Sequence, residues 1–299
     1  MAKNIYIIGN GVIAKALAVA LSVNERNVTI LRGSVDKCPE TFENFQVQLA
    51  GNVLSATVKV SAISNYSHLD GIILLTNKSF GNAALAEKLR GRIGQSPVVF
   101  LQNGLHIEHS FIESGYDQLY RCVLMATSQS ISDNVINFKP VAASPVGIIK
   151  GEIPMLETII EKINTDIFSF RAESDIQPII WKKVISNCVF NSICPLLEVD
   201  NGIFHRDTAA LDVAKQVIDE CLAVAHAHEV LLSFEEVLQN VLFISKMSDG
   251  QKISTYQDIL NRRETEIDAL NLAVARIAGE LPVKLTATLG QLIKIKSGF

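Results

Sequence analysis

The chain reads as two parts of different class, an α/β half followed by an all-α half, and three observations say so. Asn4-Ile5-Tyr6-Ile7-Ile8 is a short apolar, β-branched run that leads directly into Gly9-Asn10-Gly11-Val12-Ile13-Ala14 and then a helical pattern through Val23. Strand, glycine turn and helix in that order are what a dinucleotide-binding turn requires. Strand-like and helix-like stretches then alternate through the first half, whereas from Ser174 onward almost everything has helical periodicity. The expectation is an α/β N-terminal Rossmann-like dinucleotide-binding domain over residues 1–172 and an all-α C-terminal domain over 173–299.

The glycine turn carries its own chemistry. Gly9 allows a tight turn, Gly11 lets backbone approach a pyrophosphate, and Ala14 keeps the helix close to the sheet. Asn10 lies between the glycines, and Val12 and Ile13 open a helix whose free N–H groups and positive dipole end face the phosphates. The next strand, Asn27 to Leu31, ends at Arg32-Gly33-Ser34 with Lys37 close behind. A site preferring NAD(H) usually has Asp or Glu here for the ribose 2′-hydroxyl. A cation suits a 2′-phosphate instead and favours NADP(H), the alternative being an ordinary solvated arginine.

Further strands are expected at 71–76, 97–101, 121–127, 135–138, 146–149 and 166–170, an extra strand or hairpin at 53–60, and helices at 82–89 and 151–164. In the second half, Pro178 lies near the first turn of a long helix and Pro195 is expected to end it. Helices follow at about 208–229, 233–247, 255–278 and 284–296. A helical domain after a nucleotide-binding one leaves a cleft, where ligands are commonly held.

Within the long helix, Lys183, Asn187 and Asn191 fall at i, i+4 and i+8 and form one polar stripe. Around them Trp181, Val184, Ile185, Cys188, Val189 and Phe190 make the helix apolar. An ammonium and two amides there are costly unless something fills their hydrogen bonds, as a substrate carbonyl, hydroxyl or carboxylate would. The competing reading is a lysine snorkelling to solvent above two asparagines bonded to a loop. Ser254 or Thr255 is placed to start a helix, as a plain cap or as a carboxylate site. Glu266 either pairs with Arg262 four residues earlier or holds Lys183.

Composition narrows the class. With 299 residues, 48% hydrophobic and 19% charged, the chain can bury substantial cores. The net charge of −4 gives no electrostatic reason to expect nucleic acid. Five cysteines without a CxxC pair point to a reducing, cytoplasmic setting, with Cys188 and Cys194 as packing residues. Met1–Leu21 has a superficial signal-peptide look that the glycine motif explains better, and no run of 18 apolar residues suggests a membrane span. His106, His109, His226 and His228 lack the partners of a metal site, and His205-Arg206-Asp207 is expected in a loop without an assigned role.

Four separated motifs carry a resemblance over nearly the full length: Gly9-x-Gly11-x-x-Ala14, Gln102-Asn103-Gly104, Lys183/Asn187/Asn191, and Ser254 with Gln257-Asp258-Ile259 and Arg263-Glu264-Thr265-Glu266-Ile267-Asp268. In this order and spacing the chain resembles the ketopantoate reductases (2-dehydropantoate 2-reductases). The resemblance implies NADPH-dependent reduction of 2-dehydropantoate to (R)-pantoate for pantothenate synthesis. It implies that Lys183 gives a proton to the ketone oxygen, that Glu266 orients Lys183, and that Asn187, Asn191 and Ser254 hold the substrate. It further implies that Asn103 serves the nicotinamide side of the cofactor and the substrate, that Lys78 lies near the cofactor, and that Arg32 meets the 2′-phosphate. Two positions depart from the pattern: Gly81 replaces a glutamine and Gln251 an asparagine. Two alternatives stand beside this reading, reduction of another small 2-oxo acid or ketone, and an NADP(H)-sensing protein without turnover. The long C-terminal helices allow a homodimer.

Overall fold

The computed structural model describes residues 4–36 and 38–299; Lys37, expected near the end of the second strand, lies outside the described residues. The chain divides into two compact units, one running to residue 102 and again over 107–176, the other comprising 103–106 and 177–299.

The first unit holds strands β1 (Asn4–Ile8), β2 (Asn27–Arg32), β3 (Thr41–Leu49), β4 (Asn52–Ala62), β5 (Ile72–Leu75), β6 (Val98–Phe100), β7 (Leu119–Cys122), β8 (Ala126–Ser132), β9 (Val135–Pro140), β10 (Ser144–Lys150) and β11 (Phe170–Ala172). Its helices are α1 (Val12–Val23), α2 (Asn82–Leu89), α3 (His109–Glu113) and α4 (Ile153–Ile163). Among the described residues these strands form one 11-stranded sheet in the order β11-β10-β7-β6-β5-β1-β2-β4-β3-β9-β8. Strands β1, β2, β4, β5, β6 and β7 run parallel, while β3–β4, β8–β9 and β7–β10 are antiparallel.

The central strands are apolar on both faces because both faces are covered. Ile5, Ile7, Ile72, Leu74 and Val99 join a core with Leu17 and Leu21 of α1. On the other side Phe100 meets Phe111 of α3 edge-on, with ring centroids 5.1 Å apart. Truncating a fully buried leucine such as Leu17 to alanine costs roughly 2–5 kcal/mol in such a core.

Several expectations need correction. Strand β3 went unpredicted because Thr41–Leu49 is polar on most positions and buries only Phe45 and Val47. It forms a hairpin with β4 through Ala50 and Gly51, both at positive φ. The stretch 121–127 is two strands, β7 and β8, and the last strand starts at Phe170 rather than ending there.

The second unit is helical: α5 (Gln177–Leu197), α6 (Ile203–Arg206), α7 (Thr208–Ala227), α8 (Phe234–Met247), α9 (Ser254–Leu260), α10 (Asn271–Ile277) and α11 (Lys284–Ser297). Helix α5 packs against α7, α8, α9 and α11, which explains why it is apolar almost all round. Pro195 does not end α5; it sits inside, two residues from the C-terminus. There a proline removes only a bond of the last turn, and the helix tolerates it.

The long helix expected over 255–278 is broken. Helix α9 stops at Leu260, Arg262 turns left-handed at φ 52°, and Arg263 N donates back to Asp258 O at 2.9 Å. A short 3-10 turn at Ile267–Ala269 follows before α10. His205 and Arg206 lie on α6, not in a loop, and Asp207 caps α7 by accepting from Ala210 N at 2.8 Å.

Candidate active site

The first unit carries a cavity of about 620 Å³ lined by Gly9, Asn10, Arg32, Asn77 and Lys78, among others. The tip of β1 builds it. Ile8 O accepts from Thr76 N at 2.9 Å, Asn77 N at 3.1 Å and Thr76 Oγ1 at 3.0 Å, so the end of β5 is bound to the end of β1. Gly9 then crosses these residues at φ 127°, where a Cβ would lie 2.6 Å from Thr76 Oγ1 and 2.9 Å from Asn77 N. Only glycine fits.

Gly11 is different. A Cβ there would meet nothing within 4 Å, so the protein's own packing does not demand glycine. Gly11 is the N-cap of α1 and supplies no side-chain cap, which leaves Val12, Ile13 and Ala14 at an uncapped helix start. Ala14 is fully buried. Asn77 adds an orphaned group: its Nδ2 donates to Lys78 O at 2.9 Å, but its Oδ1 is buried without a partner. An uncapped helix start, a glycine with open space before it and an unpaired acceptor on the cavity wall fit a dinucleotide. Lys78 lines this cavity just before the 3-10 turn Ser79–Gly81.

Arg32 also lines the cavity, but its Nη2 lies 2.9 Å from Glu43 Oε1. Gly81 is roomy, with Asn77 Nδ2 3.6 Å from a built Cβ.

The second unit holds the polar stripe. Lys183 and Asn187 are part-buried on α5, and Asn191 is buried. Asn191 Oδ1 accepts from Ser254 Oγ at 3.3 Å and from Thr255 N at 3.2 Å. The start of α9 is thus capped across the helix interface by α5, not by Ser254 or Thr255 as the sequence suggested. Asn191 and Ser254, read separately as substrate ligands, are in contact.

Glu266 is almost buried and immediately precedes the 3-10 turn Ile267–Ala269, which packs on α5. Asn103 opens the segment 103–106 that clusters with this same unit. Leu105 N donates to Ala269 O at 2.8 Å, and Gly104 at φ 111° comes so close to Ala269 that a Cβ would sit 2.5 Å from its Cβ. The turn after Glu266 therefore packs on the stripe helix and holds the segment that begins at Asn103.

The buried thiols are not nucleophiles. Burial, with Cys221 beside it, holds the Cys188 thiol well above the ordinary thiol range. Burial and the charge of Asp200 push Cys194 up to about 12. Among the described residues no group of three or more His, Cys, Asp and Glu could hold a metal, and no helix is long and apolar enough to cross a membrane.

Residues 5–148 match the family model described as ketopantoate reductase PanE/ApbA, and residues 175–297 match that of its C-terminal part. The chain belongs to the ketopantoate reductase family. It is accordingly an oxidoreductase that works with a nicotinamide dinucleotide. It is similar to the 2-dehydropantoate 2-reductase of Streptococcus pyogenes serotype M3, 25% identical over 282 residues that cover 90% of this chain and 89% of the relative. A D-mandelate dehydrogenase solved with NADH and anilino(oxo)acetate shares the fold, with TM-score 0.85, 20% identity and coverage of 99% and 98% of the two chains. So does a dimeric ketopantoate reductase from Staphylococcus aureus, with TM-score 0.83, 16% identity and 99% of each chain covered.

Sequence reasoning missed Asn77, Glu43 and Lys88. Asn77 had a usable signal, an amide directly after a strand and before the lysine already singled out. Glu43 had none, because its strand was not foreseen. Lys88 looked like a surface charge on α2, yet its Nζ lies 2.8 Å from Gly33 O and 2.8 Å from Asp36 Oδ1.

Proposed function

We propose that the protein reduces 2-dehydropantoate to (R)-pantoate with NADPH, as a step of pantothenate synthesis, with Lys183 as the general acid. The observation that carries this reading is the stripe on α5, where Asn191, about one turn beyond Asn187 and two beyond Lys183, is joined to Ser254 at 3.3 Å.

Bound NADPH supplies the hydride. The rest of the chemistry belongs to the chain. The Lys183 ammonium donates to the ketone oxygen and transfers its proton as charge develops there, which removes the cost of a free alkoxide. Glu266, held beside α5 by its turn, orients Lys183 as a positioning residue. Asn191 has its Oδ1 engaged, so its Nδ2 is the atom that donates to substrate. Ser254 and the start of α9 take the carboxylate, and Asn187 takes the substrate hydroxyl. Asn103 serves both the nicotinamide end and the substrate. Gly9, Asn10, Gly11, Val12, Ile13, Ala14 and Lys78 hold the phosphates and ribose, and Arg32 meets the 2′-phosphate. Free, mostly buried cysteines support a cytoplasmic setting. The dimeric relative of the same fold supports a homodimer.

The departures at Gly81 and Gln251 favour a second reading, reduction of another small 2-oxo acid. Oxidation of NADPH by the purified protein, followed with 2-dehydropantoate, 2-oxoisovalerate and pyruvate in parallel, separates them. Turnover confined to 2-dehydropantoate is the expected result. Faster turnover of another acid would replace the substrate, and none with any acid despite tight NADPH binding would leave a non-catalytic sensor.

A further inference from the structure

The cavity of the first unit holds a cation that is already matched. Arg32 Nη2 sits 2.9 Å from Glu43 Oε1, its Nη1 faces Cys38 Sγ at 3.9 Å, and its Nε is buried without a partner. Glu43 is fixed in turn, since Thr41 Oγ1 donates to the same Oε1 at 3.2 Å. Lys88, on the same cavity wall, is committed to Gly33 O and Asp36. Arg32 and Lys88 are thus each paired with a carboxylate, so neither offers an uncompensated positive charge at the end of β2.

A phosphate dianion that reaches Arg32 must share the guanidinium with Glu43, which brings two like charges together, or displace it, which breaks the ion pair. A neutral ribose 2′-hydroxyl meets no such penalty and can donate to a carboxylate. We propose that Glu43 sets the balance between NADPH and NADH: by occupying Arg32 it narrows the preference for the 2′-phosphorylated cofactor. This inference rests on the cofactor reading given above. Removing one negative charge about 5 Å from a dianion under water-like screening is worth on the order of tenfold in affinity.

The test is the pair of dissociation constants for NADPH and NADH, read from nicotinamide fluorescence on the full chain and on Glu43→Gln. The ratio Kd(NADH)/Kd(NADPH) is expected to rise about tenfold in Glu43→Gln, with the gain shrinking at high salt. Glu43→Asp, which keeps the charge, is expected to stay near the wild-type ratio. Competition by adenosine 2′,5′-bisphosphate against 5′-AMP must show the same shift, since these probes lack the nicotinamide. Should Glu43→Gln fail to fold, Glu43→Ser reads the same ratio. An unchanged ratio, or equal weakening of both cofactors, would overturn the proposal and leave Glu43 as a structural partner of Arg32. Binding of neither cofactor by the wild type would instead overturn the cofactor reading itself, and this inference with it.

Discussion

Asn191 accepts from the start of α9 and, on the proposed reading, also donates to substrate, and mutation tells the two roles apart. Its Oδ1 caps α9 through Thr255 N, while Ser254 Oγ reaches the same oxygen. Asn191→Ala removes the cap and is expected to cost about 1 kcal/mol in urea unfolding. Ser254→Ala leaves the bond to Thr255 N in place and is expected to change stability little. Both variants should raise KM for the 2-oxo acid by roughly tenfold or more, the worth of a hydrogen bond to a charged group. A stability loss in Asn191→Ala with KM unchanged in both would reduce the pair to a helix cap. At this scale the stripe was legible because i, i+4 and i+8 spacing survives in any helix. The contact between Asn191 and Ser254, 63 residues apart, was not, since it depends on how α5 and α9 pack.

The glycine turn before α1 makes a matching argument for an element. Gly9→Ala forces a Cβ against Thr76 and Asn77 at φ 127° and is expected to destabilise the fold by about 1–3 kcal/mol. Gly11→Ala meets nothing and should unfold like wild type, yet its NADPH Kd should rise at least tenfold if a phosphate lies against that backbone. Thermal melts and fluorescence titrations of the two variants distinguish these outcomes, and a Gly11→Ala that binds normally removes Gly11 from the site. Strand β1, its turn and α1 were readable because pattern, spacing and position all agree there. The polar β3 strand was not, because only Phe45 and Val47 mark a buried face. Nor was the break after α9, where the polar run Asn261 to Glu266 carries no glycine or proline to mark the left-handed turn at Arg262. The hidden β3 strand is also why Glu43 could not be foreseen.

The chain divides into two compact units, and the sequence marks the start of the helical one by a change in periodicity near Ser174. The assignment of 103–106 to the helical unit was not, because it follows from the contact of Gly104 and Leu105 with Ala269. On the proposed reading the first unit binds the cofactor and the second supplies the proton, so binding and chemistry should come apart on mutation. Single-turnover oxidation of NADPH by 2-dehydropantoate, measured on wild type and Lys183→Ala alongside each protein's NADPH Kd, tests this directly. The rate is expected to fall by roughly 10²–10⁴-fold, as for loss of a general acid, with the Kd within about twofold of wild type. A variant that keeps the wild-type rate, or loses NADPH binding in proportion to its rate, would contradict the assignment of Lys183 as the proton donor.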